Sequence, residues 1–351
     1  MNVNEYGWDE YFESEWHKMH TKDMYPARII ADYGQMLRVV TDKGELYVNR
    51  PLHKDNNYVQ LAVGDWIGLE EIEAAEYPVV RFVLSRKTKF SRAAAGIEAK
   101  EQIVAANIDT IFLIQSLNGD FNMKRLERYL IATWDSGAVP VVVLTKADCC
   151  DDIQQKMAIA AASAPGVEVI SISSKTGEGL DEIKKYLTQG KTIALLGSSG
   201  VGKSTLLNKL VGKEILKTQE IREDDSKGRH TTTHRELVLL PLGGMVMDTP
   251  GMRTLSLWDS DTGMEIMFGD VEALTNQCRF HDCKHQNEPG CAVRHALETG
   301  ELDNNRWESW VKLQKELSHL EAKKEGKLRL QEKQWGRQIS KLQKEFRKGR
   351  D

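Results

Sequence analysis

The stretch from Gly197 to Ser204 constrains the fold of this chain more than any other part of its sequence. It reads Gly-Ser-Ser-Gly-Val-Gly-Lys-Ser and matches the phosphate-binding pattern G-x-x-x-x-G-K-[ST]. It follows an apolar run, Thr192–Leu196, that predicts a strand, and it opens a helical pattern, Lys203–Val211. Backbone N–H groups and a helix N-terminus in this arrangement bind phosphates. The sequence therefore predicts an α/β domain with a nucleotide-phosphate site.

Two residues of this loop have expected roles of their own. Lys203 should reach the β- and γ-phosphates, and the Ser204 hydroxyl should ligate Mg²⁺. A purely structural glycine-rich turn is the alternative, but such a string arises by chance in about one chain in a hundred of this length. The predicted phosphate-binding residues are Gly197, Ser198, Ser199, Gly200, Val201, Gly202, Lys203, Ser204 and Thr205.

Apolar runs alternate with helical patterns between about residues 100 and 260, which is typical of a mostly parallel α/β sheet. The predicted strands are Thr110–Ile114, Val139–Leu144, Val167–Ile172, Thr192–Leu196, Glu236–Leu240 and Met245–Met247. The predicted helices are Lys124–Ser136, Asp151–Ala164, Gly179–Leu187 and Lys203–Val211.

A base-reading motif follows the strand that ends at Leu144. Thr145-Lys146-Ala147-Asp148 resembles the NKxD motif of GTPases. The carboxylate of Asp148 can accept hydrogen bonds from guanine N1–H and N2–H₂, whereas adenine offers neither donor. Lys146 would lay its stem along the base. Threonine in place of asparagine at position 145 is expected to weaken one contact that braces the loop.

A third loop supports the same base. Ser173-Ser174-Lys175 follows the strand Val167–Ile172 and resembles the SAK loop, which presents a backbone N–H to guanine O6. Together the two loops favour guanine over adenine, so the predicted nucleotide is GTP or GDP.

Two switch segments are predicted beyond the phosphate loop. Asp248-Thr249-Pro250-Gly251 resembles the DxxG motif, in which the aspartate supports Mg²⁺ through water and the glycine N–H senses the γ-phosphate. Between it and the phosphate loop, residues 228–233 hold a first-switch candidate in which Thr231 or Thr232 would ligate Mg²⁺. Met252 stands where many GTPases carry a water-orienting glutamine, so intrinsic turnover should be slow. His230 is a hypothetical substitute.

The order of these motifs is unusual. The base loops precede the phosphate loop, and the DxxG motif comes last, whereas an ordinary GTPase begins with its phosphate loop. The sequence therefore predicts a circularly permuted GTPase domain, which is tolerated because the termini of compact domains lie at the surface.

A cysteine and histidine cluster follows the last GTPase motif. Cys278, Cys283, His285 and Cys291 are the predicted ligands of one structural Zn²⁺, because three thiolates and an imidazole fill a tetrahedral site. His281 is a nearby competitor for the histidine position. Reduced cysteines in a small core are the alternative.

The N-terminal third has a different pattern. Short β-type runs are separated by turn signals, which predicts a small barrel of the OB or SH3-like kind. These runs are Ala27–Ala31, Met36–Thr41, Glu45–Val48, Asp65–Glu70 and Val79–Leu84. The aromatic-rich residues 1–24 before them are compatible with a short amphipathic helix or a loosely docked arm.

Composition restricts the class of protein. The net charge of -4 conceals a basic C-terminal tail, which suits a solvated helix or a helix that contacts nucleic acid. The crowding of three of the five cysteines favours a reducing, cytoplasmic compartment over a disulfide framework. No segment approaches the roughly 20 apolar residues of a membrane helix, so no membrane partner is expected.

The permuted motifs, the barrel before them and the cluster after them together resemble the bacterial ribosome small-subunit-dependent GTPase A family, also called YjeQ or YloQ. The resemblance covers about residues 25–295. It implies a multi-domain protein with an N-terminal OB-fold, binding to the small ribosomal subunit through rRNA during late maturation, and hydrolysis of GTP that the subunit stimulates. A monomer is expected.

The predicted organisation has five segments. They are an N-terminal extension at 1–24, an OB-fold barrel at 25–90, the permuted GTPase domain at 100–260, a zinc-binding, α-rich module at 261–305 and a basic helical tail at 306–351. Two other functions are compatible with parts of the sequence. A P-loop ATPase or kinase would leave the two base loops unexplained, and an RNA-binding module would use the nucleotide only structurally.

Overall fold

The computed structural model describes residues 2–19, 22–51, 60–73, 75–93, 101–212, 235–248 and 261–322. The chain divides into two compact units. The first comprises residues 1–92, 103–256 and 261–267, and the second comprises residues 93–102, 257–260 and 268–351. None of the described helices is both long and apolar enough to cross a membrane.

A mixed sheet forms the centre of the first unit, as the alternating pattern predicts. Its GTPase part has the strand order β10-β9-β8-β11-β13-β12, in which only the β12–β13 pair is antiparallel. The strands are β8 (Thr110–Ser116), β9 (Val139–Thr145), β10 (Glu168–Ser171), β11 (Thr192–Leu196), β12 (Arg235–Leu239) and β13 (Met245–Asp248). The continuous apolar runs of β8, β9 and β11 are buried because helices cover a parallel sheet.

Four helices accompany these strands. They are α2 (Met123–Ser136), α3 (Ile153–Ser163), α4 (Leu180–Lys184) and α5 (Lys203–Val211). Side chains from α4 and α5, including Ile183 and Leu207, join Phe112 and Ile193 of the sheet in one buried core. Helix α4 is shorter than the predicted Gly179–Leu187, because Tyr186 and Leu187 close tighter turns, donating to carbonyls three residues back.

Antiparallel strands extend the same sheet. All five predicted strands are present, in the order β5-β4-β1-β2-β3, and β3 contacts β5. They are β1 (Met24–Asp32), β2 (Met36–Thr41), β3 (Gly44–Asn49), β4 (Trp66–Glu70) and β5 (Val79–Val83). Strand β1 also pairs with β12, so the antiparallel strands and the GTPase strands share one hydrogen-bonded sheet. Strands β6 (Lys89–Ala93) and β7 (Glu101–Ala106) form a separate two-stranded sheet.

The N-terminal arm folds as a short helix, one of the two forms that its aromatic spacing allowed. Helix α1 (Glu10–His17) begins at Asp9, whose carboxylate caps two backbone N–H groups. The ring centroids of Trp8 and Trp66 are 4.8 Å apart, and those of Trp16 and Phe82 are 5.6 Å apart. The arm is therefore docked on the antiparallel strands.

Helices form most of the described part of the second unit, and residues 277–291 between two of them are turns and bends. The unit contains the C-terminal part of α6 (Asp261–Asn276), α7 (Ala292–Thr299) and a helix, α8, at 304–322. Helix α6 is kinked at Phe268, where the backbone leaves helical geometry. The Arg306 guanidinium lies over the Phe268 ring and donates to both carboxylate oxygens of Asp270 at 2.7 and 2.8 Å. These contacts fix the start of α8 against α6.

Candidate functional site

The phosphate loop joins β11 to α5, as the sequence predicts. A Cβ atom on Gly197 would lie 2.4 Å from the Ile114 carbonyl oxygen of β8, so only glycine fits at that position. Gly202 has a φ of +98°, which glycine adopts without strain. The Lys203 ammonium donates to the carbonyl oxygens of Gly197, at 2.6 Å, and Ser198. The loop's own backbone thus holds the lysine beside it.

Two further residues contact this loop. The Nη1 atom of Arg125 lies 2.7 Å from the Ser198 hydroxyl and 2.6 and 2.7 Å from the two carboxylate oxygens of Asp120. The Ser198 hydroxyl also donates to Asp120. We did not predict Asp120 or Arg125 from the sequence. The only sequence signal was their place after β8, the strand beside β11.

Thr145 connects the base loop to the phosphate loop. Its buried hydroxyl lies 2.5 Å from the Val201 carbonyl oxygen and 3.2 Å from that of Gln115. We expected threonine to weaken a contact that braces the loop, whereas its hydroxyl supplies a brace of its own. The next residue, Lys146, is left-handed with a φ of 61°.

The carboxylate of Asp148, which is predicted to read the base, is held by the third loop. The Ser173 hydroxyl donates to Asp148 at 2.7 Å, while the carboxyl group itself is exposed. This hydrogen bond holds the pKa of Asp148 below its ordinary value, so the group is ionised at neutral pH. The Ala147 N–H also donates to the Ile172 carbonyl, which ties the two loops together. Ser174 is half-buried and Lys175 is exposed beside them.

The three loops meet because of the sheet topology. The base loop follows β9, the Ser173 loop follows β10 and the phosphate loop follows β11, and these strands are parallel. Ligands of open α/β sheets bind at this carboxyl edge. Asp248 ends β13, which is parallel to β11, but its side chain is not described. An exposed carboxylate, a lysine and a phosphate loop on one edge can bind a guanine nucleotide.

Several predicted site residues lie outside the described part of the chain. They are His230, Thr231 and Thr232 of the first switch and Gly251 of the second. Their roles stay predictions.

The predicted metal ligands are brought together in the second unit. Cys278, Cys283, His285 and Cys291 place their ligand atoms within 4.8 Å of one another. His285 Nδ1 lies 3.5 Å from the Cys278 sulfur and 3.6 Å from the Cys291 sulfur, and these two sulfurs are 4.0 Å apart. The ring of Trp307 packs edge-on against His285 at 5.3 Å. The cluster has the dimensions of a tetrahedral metal site.

Comparison with known proteins identifies similar chains. A family model described as RsgA GTPase matches residues 83–258. A small ribosomal subunit biogenesis GTPase RsgA 2 from Lactiplantibacillus plantarum is 50% identical over 258 residues, covering 74% of this chain and 72% of the relative. A small ribosomal subunit biogenesis GTPase RsgA 1 from Listeria innocua is 41% identical and covers 97% of this chain and 96% of its own length.

Solved structures show the same fold. The crystal structure of YjeQ from Thermotoga maritima superposes with a TM-score of 0.59 at 26% identity, over 83% of this chain and 97% of that one. The structure of YloQ, described as a circularly permuted GTPase, gives a TM-score of 0.58 at 24% identity, over 86% of this chain and 97% of that one. The fold of the first unit is therefore that of a permuted GTPase.

Proposed function

The chain belongs to the RsgA GTPase family and is a GTP hydrolase, and we propose that it acts as a switch in late maturation of the small ribosomal subunit, binding the subunit through its rRNA. The observation that carries the proposal is the meeting of three loops, where Ser173 holds the base-reading Asp148 beside a phosphate loop braced by Thr145. The names of relatives that span nearly the whole chain supply the ribosomal role.

Guanine recognition rests on the exposed Asp148 carboxylate. In its ionised form it accepts from guanine N1–H and N2–H₂, and the backbone of Ser173, Ser174 and Lys175 offers an N–H to O6. Lys146 lays its stem along the base. Because adenine has neither donor, the site selects GTP and GDP over ATP.

Hydrolysis uses residues around the phosphate loop. Lys203 contacts the β- and γ-phosphates from the position that the Gly197 and Ser198 carbonyls give it. The Ser204 hydroxyl lies in the first turn of α5, half-buried, and suits Mg²⁺, which takes oxygen ligands. Bound there, Mg²⁺ would neutralise charge on the phosphates, with Asp248 and Thr231 or Thr232 as further ligands. His230 would orient the attacking water, and the Gly251 N–H would sense the γ-phosphate.

The cluster in the second unit suits one structural Zn²⁺. Tetrahedral zinc with Zn–S near 2.3 Å and Zn–N near 2.0 Å requires S–S separations of about 3.8 Å and S–N separations of about 3.5 Å. The separations of 4.0 Å between two sulfurs and 3.5 to 3.6 Å from sulfur to nitrogen agree. Four protein ligands leave no open position, so the zinc would hold residues 261–305 together rather than take part in hydrolysis.

The antiparallel strands suit an OB-fold at residues 25–90. In that fold, β1 pairs with both β2 and β4 and the barrel closes between β3 and β5. The pairing of β1 with β2 and β4, and the contact of β3 with β5, support this assignment. We assign rRNA binding to this barrel and to the zinc module, which precede and follow the GTPase domain at 100–260 in the sequence. The arm at 1–24 and the tail at 306–351 would be accessory segments. The protein would work as a cytoplasmic monomer.

Nucleotide competition tests the first half of the proposal. GTP and GDP should displace a fluorescent guanine nucleotide at concentrations far below those of ATP. Asp148→Asn should shift preference toward xanthine nucleotides, because the amide can donate to the xanthine O2. Asp152→Asn, the same change in an exposed neighbour, should leave guanine preference intact. Equal binding of ATP would support an ATPase or kinase instead.

Sedimentation with purified small subunits tests the second half. The protein should pellet with them more completely in a non-hydrolysable GTP analogue than in GDP, and added subunits should raise the rate of phosphate release. Binding with no nucleotide dependence and no change in rate would indicate an RNA-binding module with a structural nucleotide.

A further inference from the structure

We propose that Asp120 and Arg125 are positioning residues for GTP hydrolysis, which hold Lys203 in place by acting through Ser198. The inference rests on the proposed contact of Lys203 with the GTP phosphates. It concerns two side chains outside every GTPase motif in the chain. Asp120 lies between β8 and α2, and Arg125 lies in the first turn of α2.

The contacts form a continuous path. Arg125 Nη1 lies 2.7 Å from the Ser198 hydroxyl oxygen and is itself held by both carboxylate oxygens of Asp120 at 2.6 and 2.7 Å. The backbone carbonyl of the same Ser198 accepts from the Lys203 ammonium, together with the Gly197 carbonyl at 2.6 Å. The side chain of Ser198 is thus held by Arg125 from outside the loop, while the carbonyl of Ser198 accepts from Lys203.

The outer end of this path is anchored in the sheet. Asn122 caps α2 by accepting from the Arg125 N–H at 3.0 Å. The backbone of Asn122 is held in both directions by the side chain of Gln115, at 2.8 and 2.9 Å, and Gln115 is fully buried in β8. Strand β8 pairs with β11, which leads into the phosphate loop. Arg125 and Ser198 are therefore both held by neighbouring strands of one sheet.

Holding the Ser198 side chain restrains the backbone of a loop that contains three glycines. Glycine allows the backbone to curl around phosphates but does not fix its peptide planes. Rotation of the peptide after Ser198 would turn its carbonyl away and release the ammonium of Lys203. Catalysis by charge stabilisation depends on donors that are already in place when charge develops.

The charge and chemistry of the pair suit this role. Both side chains are about 30% exposed, so the ion pair is partly shielded from solvent, and Nη1 of Arg125 contacts both carboxylate oxygens of Asp120. The pattern G-x-x-x-x-G-K-[ST] allows any residue at position 198, so a hydroxyl there is not needed for phosphate binding as such. Its engagement by an outside ion pair is a feature of this chain beyond the motif.

Single-turnover hydrolysis of saturating GTP by the full chain tests the inference. Arg125→Ala and Ser198→Ala should each lower the rate on the order of tenfold, less than the 10²–10³ typical of removing a stabilising donor outright. The double variant should be no slower than the slower single variant, because both act through one path. GMP affinity should not change, since GMP offers neither phosphate that Lys203 contacts. Arg125→Lys should restore part of the rate, since an ammonium can still pair with Asp120.

Controls separate this inference from the proposed function. Lys124→Ala removes the same charge from an exposed neighbour on α2 and should leave the rate unchanged. Lys203→Ala should nearly abolish hydrolysis; if it does not, the proposed role of Lys203 fails and the inference fails with it. If Lys203→Ala is inactive while Arg125→Ala keeps a rate within about twofold of the unaltered chain, only the inference is overturned. Multiplicative losses in the double variant would also overturn it.

Discussion

The guanidinium of Arg28 donates a hydrogen bond from Nη2 to the hydroxyl of Thr192 at 3.0 Å. Thr192 begins β11, the strand that leads into the phosphate loop, whereas Arg28 lies in β1 of the antiparallel strands. The same fully buried side chain donates to the carbonyl oxygens of Tyr6, Gly64 and Asn107. A single arginine therefore connects the N-terminal arm, the antiparallel strands and the GTPase sheet.

Replacing this arginine should destabilise the first unit. Burial lowers the pKa of Arg28 to about 10, so the side chain remains charged at neutral pH. Arg28→Met fills similar space but leaves three carbonyl oxygens without this donor, which should cost about 3 kcal/mol in the free energy of unfolding. The midpoint of urea unfolding measures the loss.

An exposed arginine provides the comparison. Arg81 forms a surface ion pair with Glu70, so Arg81→Met should cost less than about 1 kcal/mol. Equal losses in the two variants would contradict a central role for Arg28.

Much of the GTPase sheet could be predicted because its signals are local. The apolar runs of β8, β9 and β11 identify buried parallel strands wherever they occur, and the phosphate loop requires a helix directly after β11. The carboxyl ends of parallel strands share one edge, so the meeting of Asp148, Ser173 and Lys203 results from their places after β9, β10 and β11.

The remaining features depend on contacts between distant parts of the chain. The pairing of β1 with β12 joins Ala31 to Glu236, and no local pattern specifies which edges of two sheets will meet. The contact of Arg125 with Ser198 spans 73 residues, and each is an ordinary polar residue in its own segment. The sequence also does not show which distant backbone group a side chain will contact, and the hydrogen bond from Thr145 to the Val201 carbonyl is an example.

That hydrogen bond predicts an effect on nucleotide affinity. Thr145→Val keeps the shape of the side chain but removes the hydroxyl, so the Val201 carbonyl loses its donor and the phosphate loop loses a contact with the base loop. We expect a loss of about 1 kcal/mol in stability, together with a fall of several-fold in GDP affinity. Unfolding midpoints and fluorescence titration measure the two effects.

Thr133→Val is the matched control for Thr145→Val. Thr133 is also buried, and its hydroxyl donates to the Tyr129 carbonyl within α2. It should lose comparable stability with no change in GDP affinity. If both variants lower affinity equally, the Thr145 hydroxyl has no special link to the nucleotide.

The hydrogen bond from Ser173 predicts a change in the pH dependence of GDP binding. It lowers the pKa of Asp148, so the carboxylate stays ionised, and able to accept from guanine, until the pH falls through that lowered value. Ser173→Ala should return the pKa toward the ordinary aspartate value of about 3.9. The pH below which GDP binding weakens should therefore rise in the variant, as measured by titrations from about pH 6 down to about pH 3.

Ser174→Ala changes the next residue and leaves the hydrogen bond from Ser173 in place. The pH below which this variant loses GDP binding should be the same as for the unaltered chain. A Ser173→Ala variant that binds GDP more weakly by the same factor at every pH would show that the hydroxyl acts on loop shape alone.

The cluster of Cys278, Cys283, His285 and Cys291 predicts that removal of one ligand disrupts the second unit alone. One zinc per chain should copurify with the protein, and Cys283→Ala should abolish it, because three ligands remain where a closed site needs four. Since binding energy in a small metal module is also folding energy, amide hydrogen exchange should accelerate in α7. Intrinsic GTP hydrolysis should persist, because the core around Phe112 and Ile193 lies in the first unit.

Cys149→Ala is the matched control, because it removes an exposed thiol outside the cluster and should retain the zinc. Full zinc content in Cys283→Ala, or rapid exchange throughout the first unit as well, would contradict a structural zinc confined to the second.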